Sequence, residues 1–254
     1  MKILICGEGG QGVQIISQIL AEAGYDQKYF TSYIPHYGVE MRMGISFGYI
    51  QLSKTPIAYP KFSKADILAM MTEREIDLTK SFIGKETRVI NGVFLDEYLR
   101  SNSLSSRALN MLILGIIIKE LNVSDLRLPA DKIKKKLADK LADKKDLLDQ
   151  NLAAYEKGLT LENEIYAKNV ANLKNQNFTP IIDKDNKKTH IKFPNLCKGC
   201  ALCVEKCPVK ALSWDETKIN YIKRAMPKVD ISKCISCMIC ENICPDSAIT
   251  VIKK

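Results

Sequence analysis

The chain has 254 residues, 46% of them hydrophobic and 26% charged, with a formal net charge of +9. Its length and apolar content suit a globular protein of more than one domain, and its longest apolar run, residues 111–118, is far too short to cross a bilayer. The basic excess comes from lysines scattered through residues 132–192, without a recognised nucleic-acid module. We therefore expect neither a membrane nor a nucleic acid among the partners. The N-terminal apolar stretch is too short for a signal peptide, which predicts a cytoplasmic location.

The first part of the chain alternates between strand and helix patterns. Residues 2–6, KILIC, are apolar and β-prone, and a glycine turn separates them from residues 13–25, where apolar side chains recur at helical spacing. Further strands are predicted at 28–34, 45–52, 65–71 and 87–92. Because strands and helices alternate, we predict an α/β domain with a mostly parallel sheet and flanking helices.

Two more helical segments complete this domain, and a weakly patterned stretch follows it. Residues 105–122 are apolar enough for a largely buried helix, and residues 131–159 form a lysine-rich helical pattern with a break near Asp143. A following stretch rich in Asn, Lys and Asp is typical of a linker. The predicted organisation is an α/β domain at 1–165, a linker at 166–190 and a small C-terminal domain at 191–254.

Eight of the nine cysteines lie in two C-terminal runs with one spacing. The runs are Cys197, Cys200, Cys203, Cys207 and Cys234, Cys237, Cys240, Cys244, each closed by proline. Each reads C-x-x-C-x-x-C-x-x-x-C-P, the two-cluster ferredoxin pattern, in which the fourth cysteine of a run ligates the other cluster. We therefore predict an α+β ferredoxin domain with two [4Fe–4S] clusters. One takes Cys197, Cys200, Cys203 and Cys244, and the other takes Cys234, Cys237, Cys240 and Cys207.

Other uses of such cysteines fit the pattern less well. Zinc sites usually separate their two C-x-x-C pairs by a longer loop, and disulfides need an oxidising compartment. The two runs also repeat at an offset of 37 residues, from 197 to 234, and a short apolar strand follows each. The ninth cysteine, Cys6, is expected to be a small core residue.

A glycine-rich turn follows the first predicted strand. Gly7, Gly9 and Gly12 fit G-x-G-x-x-G, which brings backbone N–H groups and a helix N-terminus toward a phosphate. A dinucleotide site also needs an acidic residue about 20 positions further on, but the sequence there is Thr31-Ser32-Tyr33. Two interpretations remain: a turn that permits close helix–strand packing, or a loop, including Gly10, that contacts a phosphate-bearing cofactor or a partner subunit.

A second predicted loop, SYIPHYGVEMRMG, occupies residues 32–44 and contains a proline and two glycines that restrict or redirect its backbone. It contains Glu40 and Arg42 between two glycines, and it is expected at the same sheet edge as the glycine turn. Arg42 is suited to bind phosphate or carboxylate. The alternative is that Glu40 and Arg42 only pair with each other within the loop.

Taken together, GEGGQG, YGVEMRMG and RALNMLILG resemble the gamma subunit of 2-oxoacid:ferredoxin oxidoreductases, and the C-terminal run resembles their delta, ferredoxin-type subunit. The resemblance covers residues 1–122 and 191–254, so the chain looks like a gamma–delta fusion. Met43 stands where the family usually has glycine. The sequence of residues 32–42 is most similar to that of family members that act on 2-oxoglutarate or branched-chain 2-oxoacids.

The resemblance implies a role in converting a 2-oxoacid and coenzyme A to an acyl-CoA and carbon dioxide. Thiamine diphosphate, magnesium and coenzyme A would be bound on alpha and beta partner subunits, and electrons would pass through the two clusters to external ferredoxin. This chain would supply no catalytic residue; its cofactor-binding candidates are Gly7, Gly9, Gly10, Gly12, Glu40 and Arg42. The alternative is a stand-alone ferredoxin-type electron-transfer module fused to a nucleotide-binding domain.

Overall fold

The computed structural model describes residues 1–37, 44–72, 75–141, 145–166, 179–222 and 224–253. The chain divides into two compact units. The N-terminal unit contains the described residues up to 166 apart from residue 44, and the C-terminal unit contains those from 179 onward. In the described ranges, no helix combines the length and apolar character that a membrane span requires.

Within its described residues, the N-terminal unit has a five-stranded sheet. Its strands are β1 Lys2–Glu8, β2 Phe30–Tyr37, β3 Ile45–Ser53, β4 Ile67–Met70 and β5 Arg88–Asn91, in the order β2-β3-β1-β4-β5. The β1–β4 and β4–β5 pairs are parallel, whereas β3 is antiparallel to both β1 and β2. The predicted α/β fold is confirmed. The sheet is mixed because β3 inserts beside β1, but the other four strands all run in one direction.

Both faces of the sheet are buried at its central strand, β1. Along β1, Ile3 and Ile5 pack into one apolar cluster and Leu4 and Cys6 into another, and all four are fully buried. Strands covered on both faces read as continuous apolar runs rather than as alternating ones. The expectation that Cys6 is a core residue is confirmed: its Sγ lies 3.3 Å from the carbonyl oxygen of Ala69, and burial raises its pKa well above the ordinary thiol value.

The N-terminal unit is completed by helices. They are α1 Val13–Asp26, α2 Ile76–Thr79, α3 Gly92–Ser101, α4 Leu109–Asn122, α5 Ala130–Leu141, α6 Lys145–Thr160 and α7 Asn163–Tyr166. The predicted buried helix is α4, in which 12 of 14 residues are buried. The break predicted near Asp143 lies outside the described residues; α5 ends at Leu141 and α6 begins at Lys145.

Helices α4 and α6 approach each other at a pair of glycines. A Cβ atom on Gly115 would lie 2.2 Å from the carbonyl oxygen of Tyr155, and one on Gly158 would lie 2.3 Å from that of Leu112. The Cα atom of each glycine also lies near the position of the other's missing Cβ, at 2.9 and 3.0 Å. The two backbones are therefore in direct contact, and no larger residue fits at either position without a shift.

The C-terminal unit contains two small sheets and two short helices among its described residues. The elements are β6 Ile181–Lys184, β7 Lys188–Lys192, α8 Leu202–Glu205, β8 Leu212–Ile219, β9 Ala225–Val229, α9 Ile239–Asn242 and β10 Ile249–Lys253. Strand β7 lies between β10 and β6, and β8 pairs with β9; all these pairings are antiparallel.

Part of the predicted linker at 166–190 belongs to this unit. Strands β6 and β7 form a hairpin, so residues from 181 onward lie in the sheet rather than in a connecting segment. Residues 167–178 of the predicted linker lie outside the described residues. In the hairpin turn, Asp185 Oδ1 accepts hydrogen bonds from the backbone N–H groups of Lys187 and Lys188 at 2.7 and 2.9 Å. Aspartate commonly stabilises turns in this way.

Candidate iron–sulfur centres and the glycine loop

The eight C-terminal cysteines line two cavities that open to solvent. The first cavity is lined by Cys197, Cys200, Cys203 and Cys244, and the second cavity is lined by Cys207, Cys234, Cys237 and Cys240. Each cavity thus takes three thiols from one run and the fourth thiol from the other run, which is the predicted crossed grouping. Among the described residues, no three His, Cys, Asp or Glu side chains converge closely enough to hold a single metal ion.

The backbone repeats the duplication seen in the cysteine spacing. Helices α8 and α9 begin 37 residues apart, at Leu202 and Ile239. Left-handed backbone conformations recur at the same offset in the pairs Gly199 and Ser236, Ala201 and Met238, and Lys210 and Ser247. Such a conformation is unfavourable for residues other than glycine and usually persists only where the surrounding structure imposes it. The two cysteine loops therefore have one shape.

Hydrogen bonds to sulfur occur at equivalent places in the two runs. The backbone N–H of Ala211 donates to Cys207 Sγ, and that of Ala248 donates to Cys244 Sγ, both at 3.2 Å. These are the two cysteines that cross to the other cavity. Such donors stabilise a thiolate ligand, and four thiols per cavity are the donor set of a [4Fe–4S] cluster. The residues present fit two such clusters.

Burial opposes ionisation of these thiols in the protein alone. It raises the pKa of Cys203 to about 12 and that of Cys240 to about 11. A cluster held by these thiols would have to supply the free energy that removes their protons, as metal ions do for coordinating thiols.

An ion pair joins the two runs at the first cavity. Lys198, next to Cys197, lies 3.6 Å from the Asp246 carboxylate, two residues beyond Cys244, and both side chains are buried. Removing one partner of a buried ion pair strongly destabilises a protein, because the other charge is left buried without compensation. The pair therefore holds Cys244 beside the loop of the first run.

The second cavity lies closer to the surface. Cys237 is exposed, and its neighbours Ile235, Met238 and Ile239 are 61%, 37% and 39% exposed. The equivalent positions in the first run, 198, 201 and 202, are buried or half-buried. The duplicated loops therefore differ in how they meet solvent.

A buried histidine also lines the second cavity. His190, on β7, is 1% exposed, and its Nε2 lies 3.5 Å from Cys240 Sγ. Burial, together with the nearby Lys192 charge, lowers the pKa of this imidazole to about 4. Nothing in the sequence singles out this residue except that it is one of only two histidines.

The glycine loop lies between β1 and α1. Gly7 and Gly12 both lie at close approaches: a Cβ on Gly7 would lie 2.9 Å from Met71 Sδ, which belongs to a flexible side chain, and one on Gly12, whose φ of +80° favours glycine, would lie 2.2 Å from Asn110 Nδ2. Gly10 differs, because it has a φ of +102° and nothing within 4 Å of the missing Cβ. Gly9 lies in the same turn. The packing interpretation therefore accounts for Gly7 and Gly12, while Gly10 faces open space.

The side chain of Gln14, in the first turn of α1, connects this loop to two strands. Its Nε2 donates to Ser46 Oγ at 2.7 Å and to the carbonyl oxygen of Phe47 at 3.0 Å, and its Oε1 accepts from the Tyr33 hydroxyl at 2.5 Å. Strands β1 and β2 both run antiparallel to β3, so their carboxyl ends lie at one sheet edge. Glu40 and Arg42, predicted to belong to this edge, lie outside the described residues.

The strand order bears on the dinucleotide alternative. In a dinucleotide-binding βαβ unit, the strand after the glycine loop and helix is parallel to the first and adjacent to it. Here β3 separates β2 from β1. A residue at the end of β2 is two strands from β1, or roughly 10 Å. An acidic residue at that place would therefore be displaced from the position it has in a dinucleotide site.

An α/β sheet domain joined to a ferredoxin-type unit is the class that the fold and the cysteines define. Residues 2–161 match the family model for pyruvate ferredoxin/flavodoxin oxidoreductase, and residues 196–248 match that for the 4Fe–4S dicluster domain. The chain belongs to the pyruvate ferredoxin/flavodoxin oxidoreductase family. The predicted fusion of a gamma-type domain with a ferredoxin-type domain is confirmed.

Several known proteins are similar to this chain. Ketoisovalerate oxidoreductase subunit VorA of Methanothermobacter thermautotrophicus is 27% identical over 174 residues, which is 62% of this chain and 35% of that protein. The 2-oxoglutarate synthase subunit KorC of Methanocaldococcus jannaschii is 37% identical over 102 residues, 39% of this chain and 52% of that protein. The chain therefore spans about a third to a half of the length of these curated relatives.

A solved structure shares the fold. The 2-oxoglutarate:ferredoxin oxidoreductase of Magnetococcus marinus, solved with 2-oxoglutarate, coenzyme A and succinyl-CoA bound, aligns with a TM-score of 0.54 at 18% identity. The alignment covers 66% of this chain and 32% of that chain. At this identity the likeness shows a common fold.

Proposed function

We propose that this chain is the electron-transfer subunit of a CoA-acylating 2-oxoacid:ferredoxin oxidoreductase. Its partners would be alpha and beta subunits that bind thiamine diphosphate, magnesium and coenzyme A, and an external ferredoxin would receive the electrons. The net reaction is 2-oxoacid plus coenzyme A giving acyl-CoA, carbon dioxide, one proton and two electrons. The chain itself contributes no catalytic residue.

The grouping of the cysteines carries this proposal. One polypeptide of the family combines the α/β domain with eight thiols that line two cavities in sets of four. When bound, the two clusters supply one-electron acceptance and release at low potential, within the range of roughly −700 to +450 mV known for iron–sulfur centres. The thiols hold the clusters, the N–H groups of Ala211 and Ala248 stabilise their ligands, and the buried side chains of Leu212, Ile249 and Val251 pack in one apolar cluster with Cys240.

The proposed substrate is 2-oxoglutarate or a branched-chain 2-oxoacid. One similar protein is named a ketoisovalerate oxidoreductase subunit and another a 2-oxoglutarate synthase subunit. Both substrates carry the same reacting group, so the discrimination between them belongs to the subunit that binds it. A screen must therefore use the whole complex.

Copurification tests the function. Purified anaerobically from its native source, the chain is expected to bring with it subunits containing thiamine diphosphate. The complex should reduce a viologen with a 2-oxoacid only when coenzyme A is present, and the chain alone, given thiamine diphosphate and coenzyme A, should be inactive. Activity of the isolated chain would refute the proposed division of labour. Copurification with a pyridine-nucleotide or flavin enzyme instead, with micromolar affinity for NAD or NADP, would establish the stand-alone alternative.

We also propose that the glycine loop and the loop carrying Glu40 and Arg42 face the partner subunit and its coenzyme A. Support comes from the common sheet edge of β1 and β2 and from the open space around Gly10. Arginine binds phosphate or carboxylate through its planar fork. An Arg42→Ala complex should retain its iron but assemble less tightly or show a raised KM for coenzyme A.

The exposed Lys54 provides a control for the Arg42 variant, since Lys54→Ala removes a positive charge beyond β3. If Arg42→Ala and Lys54→Ala both assembled and turned over like the wild type, Arg42 would only pair within its loop. An exposed pair of that kind contributes at most about 1 kcal/mol.

A further inference from the structure

His190 is buried beside Cys240, one of the four thiols that line the second cavity. It lies on β7, the central strand of its sheet, between Val251 of β10 and Asp183 of β6. Its ring is 1% exposed and lines the cavity that contains Cys240. The Nε2–Sγ distance of 3.5 Å is within the range of an N–H···S hydrogen bond.

The direction of this hydrogen bond follows from the chemistry of the ligand. A cysteine bound to iron is a thiolate and has no proton to donate, so the histidine must be the donor. The other ring nitrogen, Nδ1, is buried without a hydrogen-bond partner among the described residues. A neutral imidazole carries one N–H, and its position is set by the hydrogen bonds available. The proton therefore belongs on Nε2, facing the sulfur.

We infer that His190 donates a hydrogen bond from Nε2 to Cys240 Sγ and thereby raises the reduction potential of the cluster held by Cys207, Cys234, Cys237 and Cys240. Reduction adds negative charge that spreads onto the ligand sulfurs, so a donor at sulfur stabilises the reduced form more than the oxidised form. His190 is a tuning residue and not a ligand. The inference rests on the proposed presence of two clusters.

The first cavity has different surroundings, which makes the effect specific to one cluster. It is lined by Trp214 and Pro227, a cross-strand pair of β8 and β9, and by no histidine. The other histidine of the chain, His36, lies in β2 of the N-terminal unit, where it is exposed and stacks on Phe47. We therefore expect two distinct midpoint potentials, of which only one depends on His190.

Redox titration of the full chain, followed by electron paramagnetic resonance, tests the tuning. In His190→Leu, which removes the donor with little change in volume, the ratio of reduced to oxidised second cluster at a fixed potential should fall about tenfold, equivalent to about 59 mV for one electron. The potential of the first cluster should not change. His190→Gln, which retains a neutral N–H donor, should restore most of the shift. The control is Thr189→Ala, on the opposite face of β7.

Two outcomes of the titration would overturn the inference. The first is that both midpoint potentials of His190→Leu equal those of the wild type. The second is that the midpoint potential of the second cluster falls as far in His190→Gln as in His190→Leu, which would show that packing of the ring is responsible. A wild-type chain that holds no cluster after anaerobic reconstitution would instead refute the proposed function.

Isotope labelling keeps the test independent of how well the variants fold. Because the chain has two histidines, ¹⁵N-histidine labelling marks only His36 and His190. Pulsed paramagnetic resonance of the reduced protein should show a ¹⁵N coupling to one cluster, and His36→Gln should retain it. Absence of any coupling, or its loss in His36→Gln, would contradict the hydrogen bond.

Discussion

Replacing Cys207 with alanine should abolish the cluster whose other ligands are Cys234, Cys237 and Cys240, although these lie in the other run. Cys207 lines their cavity, where its Sγ also accepts the N–H of Ala211. Iron in the reconstituted chain should fall from about eight to about four atoms, because each Cys₄ site holds four irons. Metal and sulfide analysis gives the number, and the magnetic interaction between two reduced clusters should disappear.

The reciprocal variant makes the crossing decisive. Cys244→Ala should remove the cluster held by Cys197, Cys200 and Cys203, whose cavity Cys244 lines. Spectra of the surviving cluster then identify which one was lost. With crossed ligation, the spectrum of Cys207→Ala should match that of Cys237→Ala, and the spectrum of Cys244→Ala should match that of Cys200→Ala. If Cys207→Ala matched Cys200→Ala instead, each run would hold its own cluster. Zinc in place of iron in an anaerobic preparation would contradict the clusters altogether.

The cysteine grouping was predictable because the information is local and repeated. Ligand spacing within each run is fixed by the geometry of a cluster, and an offset of 37 residues recurs in sequence, in helices α8 and α9 and in the left-handed residues. Short apolar runs likewise predicted strands such as β4, whose four residues are all buried. Patterns of this kind do not depend on what the segment contacts.

Features that depend on distant segments escaped prediction. The position of β3 between β1 and β2 is decided by pairing partners, which periodicity does not specify. The hairpin of β6 and β7 has a polar sequence because Asp185 stabilises its turn and the buried Lys192 pairs with the half-buried Asp183. His190 became a candidate only when β7 brought it to Cys240, 50 residues further along the chain. In each case the residue type is ordinary and its location gives it a role.

The contact between α4 and α6 is a further feature of this kind, and it leads to a large expected effect. Gly115→Ala should destabilise the N-terminal unit by about 3 kcal/mol or more, which lies at or above the usual range for overpacking, because the new methyl group meets backbone rather than a movable side chain. The gain in helix propensity, about 1 kcal/mol, does not offset this. Thermal unfolding followed by far-ultraviolet circular dichroism should show a midpoint lowered by roughly 6–12 °C.

Gly84→Ala is the matched control, because a Cβ there would lie at an ordinary 3.6 Å from Thr87 Oγ1 and the residue has no positive φ. That substitution should leave the midpoint unchanged or raise it slightly, since it restricts the unfolded chain. Gly158→Ala should reproduce the loss seen for Gly115→Ala, and the double variant should lose less than the sum, because both methyl groups force apart the same pair of helices. If Gly115→Ala unfolded at the wild-type temperature, the two helix backbones would not be in contact, and helix α6 would pack on α4 through side chains alone.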